Sequence, residues 1–533
     1  MRIDKVYIED YKNLKKFSID LDQTEMKTVL LGQNATGKSN FMEALILIFK
    51  NLDLSTKSKR KITDFNYNIL YKIGGKKVEV SVSENTKTKK RDYIINIDDL
   101  PVKSLNTFFS SEGKAIYQPK YVFTYYSGLS NKLNELFWDH QKKFYDKIIK
   151  EDFQDTELDS LRKLFYVKLV HSYFVLLAYF THEEEDSITF LREVLNIEDI
   201  DSILFVFKMP EWAKSRVKKD PEDIFWTAKG LVRPFLEKLW ELSLAPIYSD
   251  EKIRTDFEDY DPQKRLYLFL KGKEQLQKLA KVYQDNTALF KALESTYISK
   301  LIAEVRIKVK KTNVDGSITF KELSEGEQQL LTVLGLLKFT KDEDSLILLD
   351  EPDTHLNPIW KWRYLEFLDK VVQRHDTTQI IMNTHDPLVI GGLKKEEVRI
   401  FKTSKNGEIL IEEPEIDPKA RTVAGILTSE LFGLPSIMSK EIEDTVNRKR
   451  YLQSILQSDK ITPDEVKEYN RLAERLEDIG FYDTTLDSRY NKFLKLTSEH
   501  KLFQKSILTA EEEEELQRIS KEVAEAVMKE KDK

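Results

Sequence analysis

Two carboxylates stand side by side at Asp350 and Glu351, directly after the apolar run Leu346 to Leu349, in the segment L-I-L-L-D-E-P-D-T-H-L-N-P. The run reads as a short buried strand, and strand ends are where open α/β sheets place their chemistry. An acidic pair at such an end can divide two tasks. Asp350 can hold Mg2+ through water, and Glu351 can polarise an attacking water. A solvated turn has the same composition, so the pair acquires meaning only beside a phosphate-binding element.

That element lies near the N-terminus. An apolar strand, Thr28 to Leu31, runs into Gly32-Gln33-Asn34-Ala35-Thr36-Gly37-Lys38-Ser39, which matches G-x-x-x-x-G-K-[ST]. The glycines let backbone N–H groups turn inward around phosphates. Lys38 reaches the β- and γ-phosphates, and the Ser39 hydroxyl ligates Mg2+. The helix that follows, read from Lys38 to about Phe49 and including Asn40, offers its N-terminus to the same anion. A chance match in a Gly/Ser turn would lack the strand before and the helix after. The expected cofactors are ATP and Mg2+, with Ser39 and Asp350 on the metal.

Two further segments belong with these. Leu323-Ser324-Glu325-Gly326-Glu327-Gln328-Gln329 opens a helix whose buried side carries Leu330, Leu331, Val333, Leu334 and Leu337. Ser324 is an N-cap and Glu327 completes a capping box. A helix N-terminus with a hydroxyl is an anion site, although alone it is an ordinary cap. Later, the strand Gln379 to Met382 ends in Asn383-Thr384-His385-Asp386-Pro387. This places His385 to meet a γ-phosphate, where a lone His is otherwise a buried structural residue.

The order of these motifs resembles that of the ATP-binding-cassette ATPases found in SMC, Rad50, RecF and OLD proteins. The resemblance implies an α/β ATPase head with a mixed sheet and an antiparallel β subdomain, a large and mostly helical insertion, and a helical C-terminal extension. It also implies roles. The L-S-E-G-E-Q-Q segment is similar to the signature motif, Asp353 to Pro358 to the D-loop, and His385 to the switch histidine. Glu351, Lys38 and His385 would be catalytic. In that family two heads meet head to tail, so Ser324 and Gly326 of one copy would complete the nucleotide site of the other, with Asp353 counted among the nucleotide contacts. One departure stands out: Gln118 precedes the strand Tyr121 to Tyr126, where the family places a glutamine after it, and Ser127 and Gly128 occupy that place.

A narrower resemblance rests on Tyr125-Tyr126-Ser127-Gly128, the Asp315-Gly316 turn and Leu431-Phe432-Gly433-Leu434. These resemble bacterial anti-phage ATPases of the Septu (PtuA) kind, including retron-associated relatives. That family implies an HNH nuclease partner and assembly beyond a dimer.

Around the motifs, the 533 residues divide into an N-terminal ATPase lobe (1–130), a mostly helical insertion (131–300), a C-terminal ATPase lobe (301–415) and a helical tail (416–533). The hairpin from Ala303 to Phe320 delivers the chain to the signature segment, and Ile203 to Phe207 and Arg265 to Leu270 read as strands inside the insertion. Leu161 to Phe180 is apolar enough to be a helix surrounded by others. With no cysteines, disulfides and cysteine zinc sites are excluded. No apolar run is long enough to span a bilayer, and Met1 leads straight into an alternating strand, so a cytoplasmic, membrane-free protein is expected.

A net charge of −6 confines any nucleic-acid surface to a local patch. Lys57, Lys59, Arg60, Lys61 and Lys87, Lys89, Lys90, Arg91 are such a patch or, more simply, solvated loops. His182-Glu183-Glu184-Glu185-Asp186 reads as an exposed acidic loop, not a metal site. In the tail, Thr462-Pro463-Asp464-Glu465 and Thr509 with Glu512 open helices, and Leu516, Ile519, Val523 and Val527 line one face. That face either packs on its own ATPase or docks another chain. No nuclease cluster is visible. The expected function is an ATPase switch in an anti-phage complex, self-associating and controlling an HNH nuclease, with DNA or retron nucleic acid as a further partner. The alternatives are a RecF- or Rad50-like repair ATPase that binds DNA directly and a transporter motor.

Overall fold

The computed structural model describes residues 1–533 apart from 22–23, 86–88, 129, 131, 150–162, 183–184, 218–221, 313, 315, 338–343, 373–375, 435, 457–461, 480–496, 498–499, 505–509 and 530–533. Lys87, Glu183, Glu184, Asp315 and Thr509, singled out above, lie outside the described residues. The chain forms two compact units, Met1–Leu434 and Pro435–Lys533.

Short continuous apolar runs build the centre of the first unit. Its seven-stranded sheet has the order Ile409–Glu412, Val398–Thr403, Lys27–Gly32, Thr378–Asn383, Ser345–Asp350, Tyr121–Tyr126, Leu164–Tyr166. All neighbours are parallel except the first pair. Ser345–Asp350 and Thr378–Asn383 are buried at every residue, as strands covered on both faces must be. Their register sets Asp350 opposite Asn383 on one side and Tyr126 on the other. The chemistry-bearing ends of three strands are therefore level.

A six-stranded antiparallel sheet flanks this core, in the order Leu14–Asp20, Arg2–Tyr11, Tyr67–Ile73, Lys76–Glu84, Arg91–Ile97, Leu100–Pro101. Arg91–Ile97 falls where the sequence suggested only a basic loop. Its Tyr93 and Ile95 turn inward while Ile94 is exposed, the alternation of a half-buried strand. The basic residues here are partly neutralised, with Arg60 against Asp92 at 3.2 Å and Arg91 against Glu84 at 3.6 Å.

The insertion carries more strand than its helical reading suggested. Ile197–Lys208 runs for 12 residues and pairs with both Tyr260–Leu270 and Ile302–Lys311. With Ile247–Arg254 and Ser317–Thr319 these form a five-stranded antiparallel sheet. The signal was the two-residue spacing of Ile203, Phe205 and Phe207, all fully buried. The apolar stretch 161–180 is also split. Leu164–Tyr166 adds a strand to the parallel sheet, and the helix is Val170–Thr181. Its burial on all sides comes from packing against the helices Glu325–Leu337 and Asn286–Ile298.

In the second unit the described elements are all helices. Pro463–Asp478 starts with the expected box, Thr462 and Glu465 exchanging hydrogen bonds, and Pro463 in its first turn. It packs on Lys440–Leu456 through a two-point contact of Arg448 with Glu468 at 2.9 and 2.7 Å. Among the described residues no helix is long and apolar enough to cross a membrane.

Candidate active site

The phosphate loop is shaped by its glycines. Gly32 and Gly37 have φ of +142° and +95°, and a Cβ on Gly32 would lie 2.4 Å from the Phe401 carbonyl oxygen. Gly37 is the N-cap of the helix Lys38–Leu54 and supplies no side-chain cap, so the first N–H groups are left for an anion. Gln33, Asn34, Ala35 and Ser39 are exposed on the rim, whereas Thr36, Gly37 and Lys38 are buried. The Lys38 ammonium donates to the carbonyls of Gly32 (2.7 Å) and Gln33 (3.0 Å). Burial pushes its pKa down to about 8, against the pull of Asp350 and Glu351.

The antiparallel sheet braces the loop from outside. Asn13, in its first turn, donates to the Ala35 carbonyl and accepts from the Asn40 amide, each at 2.8 Å. One turn along the helix, the buried Glu43 carboxylate gathers the Tyr11 hydroxyl (2.7 Å), Lys12 (2.5 Å) and Lys132 (2.6 Å). Sequence reasoning passed over this cluster, because Lys12, Glu43 and Lys132 share no motif.

Asp350 is 2% exposed at its strand end. Burial raises its pKa, while the Asn383 amide, donating at 2.8 Å, and the Ser39 hydroxyl oppose that rise. Its Oδ2 is buried without a hydrogen-bond partner among the described residues. A buried carboxylate with one bare oxygen and a serine hydroxyl beside it fits a divalent cation, so Ser39 and Asp350 suit Mg2+. Glu351 follows with φ of +53°, a left-handed conformation that non-glycine residues rarely adopt. It is held by its N–H to the Asn383 carbonyl (3.0 Å) and by the Thr354 hydroxyl on its own carbonyl (2.8 Å). The turn aims its carboxylate at His385, whose Nε2 lies 3.6 Å away. Burial first, then Lys38, lowers the His385 pKa, against the pull of Asp350, so the ring is neutral at pH about 7. Lys38, Ser39, Asp350, Glu351 and His385, scattered over the sequence, thus share one sheet edge.

Ser324 and Gly326 do not join them within one chain. Ser324 forms the capping box: its N–H and hydroxyl donate to Glu327 at 2.8 and 3.0 Å, and its Oγ accepts from the Glu327 N–H at 3.2 Å. Its carbonyl accepts from the Gln328 N–H at 3.1 Å, and among the described residues none of its bonds reaches the phosphate loop. Gly326 sits against the turn after Glu351, where a Cβ would lie 2.6 Å from the His355 carbonyl oxygen. Asp353 turns inward and is 4% exposed. It accepts from the Thr384 hydroxyl at 2.8 Å, and its pKa rises to about 6 through burial. Asn383 and Thr384 escaped the sequence reading, although they lie beside His385.

Gln118, the displaced glutamine, is buried and donates to the Leu52 carbonyl at 3.3 Å. In the place where a glutamine was expected, the Ser127 hydroxyl meets Thr354 at 3.0 Å. Leu431, Phe432 and Gly433 have a structural counterpart. With Gly32, Gln33, Thr36 and His385 they line a cleft of about 380 Å3 beside the phosphate loop. Among the described residues no group of three His, Asp or Glu forms a separate metal cluster.

The family model of the AAA ATPase domain matches residues 1–390. The chain belongs to this AAA ATPase family. It is an ATPase of the SMC, Rad50 and RecF kind. Similar proteins include the Septu protein PtuA of Bacillus mycoides (strain KBAB4), 26% identical over 220 residues, which are 39% of this chain and 30% of that protein. The retron Ec83 probable ATPase of Escherichia coli is 21% identical over 441 residues, 76% of this chain and 72% of that one. The DNA replication and repair protein RecF of Halothermothrix orenii (strain H 168 / OCM 544 / DSM 9562) is 28% identical over 125 residues, 22% of this chain and 32% of that protein. The match to the Septu and RecF relatives thus spans only about a third of their length. The SMC head domain from Thermotoga maritima aligns with 78% of this ATPase and 100% of its own chain, at 13% identity. Its TM-score is 0.32.

Proposed function

We propose that this ATPase is the nucleotide-driven switch of a bacterial anti-phage complex. Two heads close on ATP in head-to-tail fashion, hydrolysis reopens them, and the closed state controls a partner nuclease of HNH type. The observation that carries the reading is the pair Glu351 and His385, 3.6 Å apart, set over Lys38 and Asp350. Glu351 orients the attacking water, Lys38 leaves the loop carbonyls for the β- and γ-phosphates, and the His385 ring hydrogen-bonds the γ-phosphate. Mg2+, held by Ser39 and Asp350, would supply neutralisation of charge on the phosphates. Ser324 and Gly326, which make no bond to the loop of their own chain among the described residues, serve the partner copy. The defence setting is supported by the likeness to the Septu and retron ATPases, and the domain boundaries at about 130, 300 and 415 belong to the same reading. A cytoplasmic location also belongs to it.

The test is Glu351→Gln. It should bind ATP as the wild type does, cut turnover about a hundredfold or more and accumulate ATP-bound dimers. Steady-state hydrolysis equal to wild type would remove Glu351 from the mechanism. The likeness to RecF favours a second reading, direct DNA binding; ATP-dependent, salt-sensitive duplex binding by the purified chain alone would support it over the nuclease-partner reading.

A further inference from the structure

The turn that carries Glu351 away from its strand is gripped from two sides. On one side is the helix Glu325–Leu337, whose N-terminus holds Ser324. Gly326 lets that helix approach the His355 carbonyl, and one turn later Gln329 reaches the same residue. The Gln329 side chain is 2% exposed. Its Oε1 accepts from the His355 N–H at 3.0 Å, and its Nε2 donates to the Tyr125 hydroxyl at 3.2 Å. Tyr125 belongs to the strand paired with Ser345–Asp350 and stands opposite Leu349, one residue before Asp350. One buried amide therefore ties the Ser324 helix both to the turn and to the strand beside the acidic pair.

On the other side, the turn holds the reacting groups. Thr354 donates to the Glu351 carbonyl at 2.8 Å and meets Ser127 at 3.0 Å. Asp353 accepts from Thr384, the neighbour of His385. Leu356 N–H closes the turn onto the Asp353 carbonyl at 3.1 Å. A shift of the Ser324 helix along its axis cannot leave Glu351 and His385 in place while these bonds persist, because packed, hydrogen-bonded segments move as units.

We infer that Gln329 is a positioning residue that transmits the seating of the Ser324 helix to Glu351 and His385 of the same head. Docking of the helix against a partner's nucleotide is thereby registered at the head's own site. The inference rests on the proposed hydrolytic roles of Glu351 and His385.

The experiment compares Gln329→Leu and Gln329→Glu in the full-length protein. The leucine fills the volume and removes both bonds. The glutamate keeps both, since the Tyr125 hydroxyl can turn to donate. We expect Gln329→Leu to bind ATP with wild-type affinity and unchanged KM while kcat falls about tenfold, and Gln329→Glu to restore kcat to within about threefold of wild type. A Gln329→Leu protein that melts lower yet keeps wild-type kcat would reduce Gln329 to a structural amide and overturn the inference alone. Equal losses in the leucine and glutamate variants would overturn it too. A wild-type chain whose turnover does not depend on Glu351 would take down the reading beneath it as well.

Discussion

Two helix N-termini in this molecule are built oppositely. The helix Lys38–Leu54 begins at a glycine with no side chain to cap it, and its first turn is open. The helix Glu325–Leu337 begins at Ser324, whose N–H and hydroxyl are both taken by Glu327, itself held by Lys311 at 2.5 Å. The first is an anion site by default, with a buried cation already poised on its loop. At the second, Ser324 is satisfied without any ligand, and under the proposed function it would exchange a carboxylate for a phosphate. The difference teaches that sequence motifs at helix starts are not equivalent. An empty cap leaves its N–H groups to a ligand of its own chain, and under the proposed function the filled cap meets a ligand only when a partner presents one.

The comparison breaks most sharply at Lys38. Lys38→Ala should weaken ATP binding by about a hundredfold or more, read by nucleotide titration, because the open N-terminus alone lacks the cation that phosphates require. ATP affinity at wild-type level would mean that the uncapped helix start is not the site.

A gentler probe is pH. Burial holds the free Lys38 near pKa 8, below its ordinary value. Phosphates raise the pKa of the bound ammonium, so binding takes up a proton wherever the free lysine has lost one. Affinity is therefore full below pH about 8 and falls as pH rises through it, by about tenfold between pH 7 and 9. Calorimetry in buffers of different ionisation enthalpy should register that proton uptake, and a flat profile would place Lys38 already charged in the free loop.

The smallest effect is expected at the filled cap. Glu327→Gln keeps an acceptor for Ser324 and removes the negative charge that a γ-phosphate would meet. ATP-dependent self-association, followed by sedimentation at low salt, should tighten about two- to fivefold. Weaker association would show that Glu327 supports the docking of Ser324 and does not compete with it.

How much of this was readable beforehand follows the range of each interaction. The Ser324–Glu327 and Thr462–Glu465 boxes span three residues and were read correctly from spacing. Tyr121–Tyr126 begins and ends where its residues said it would. The antiparallel sheet's strand Arg91–Ile97 was masked by the basic residues that precede it, and Leu164–Tyr166 by the apolar helix that follows it. Leu431, Phe432 and Gly433 were noticed only as a pattern, and their place on the cleft beside Gln33 and His385 depends on a chain reversal no local signal announces.

The sequence by itself determined the parts: a glycine-framed loop, an acidic pair on a buried strand, a capped helix and a histidine at a strand end. These depend on backbone sterics, hydrogen-bond reach over a few residues and the burial of apolar runs, all of which act locally. Only the tertiary structure decided how the parts are wired. Strand register brought Asp350 level with Asn383, the left-handed turn at Glu351 aimed it at His385, Asp353 folded inward to Thr384, and Gln329 joined the capped helix to that turn. Each of these contacts joins side chains whose approach depends on how the whole core packs, and no spacing along the chain encodes it.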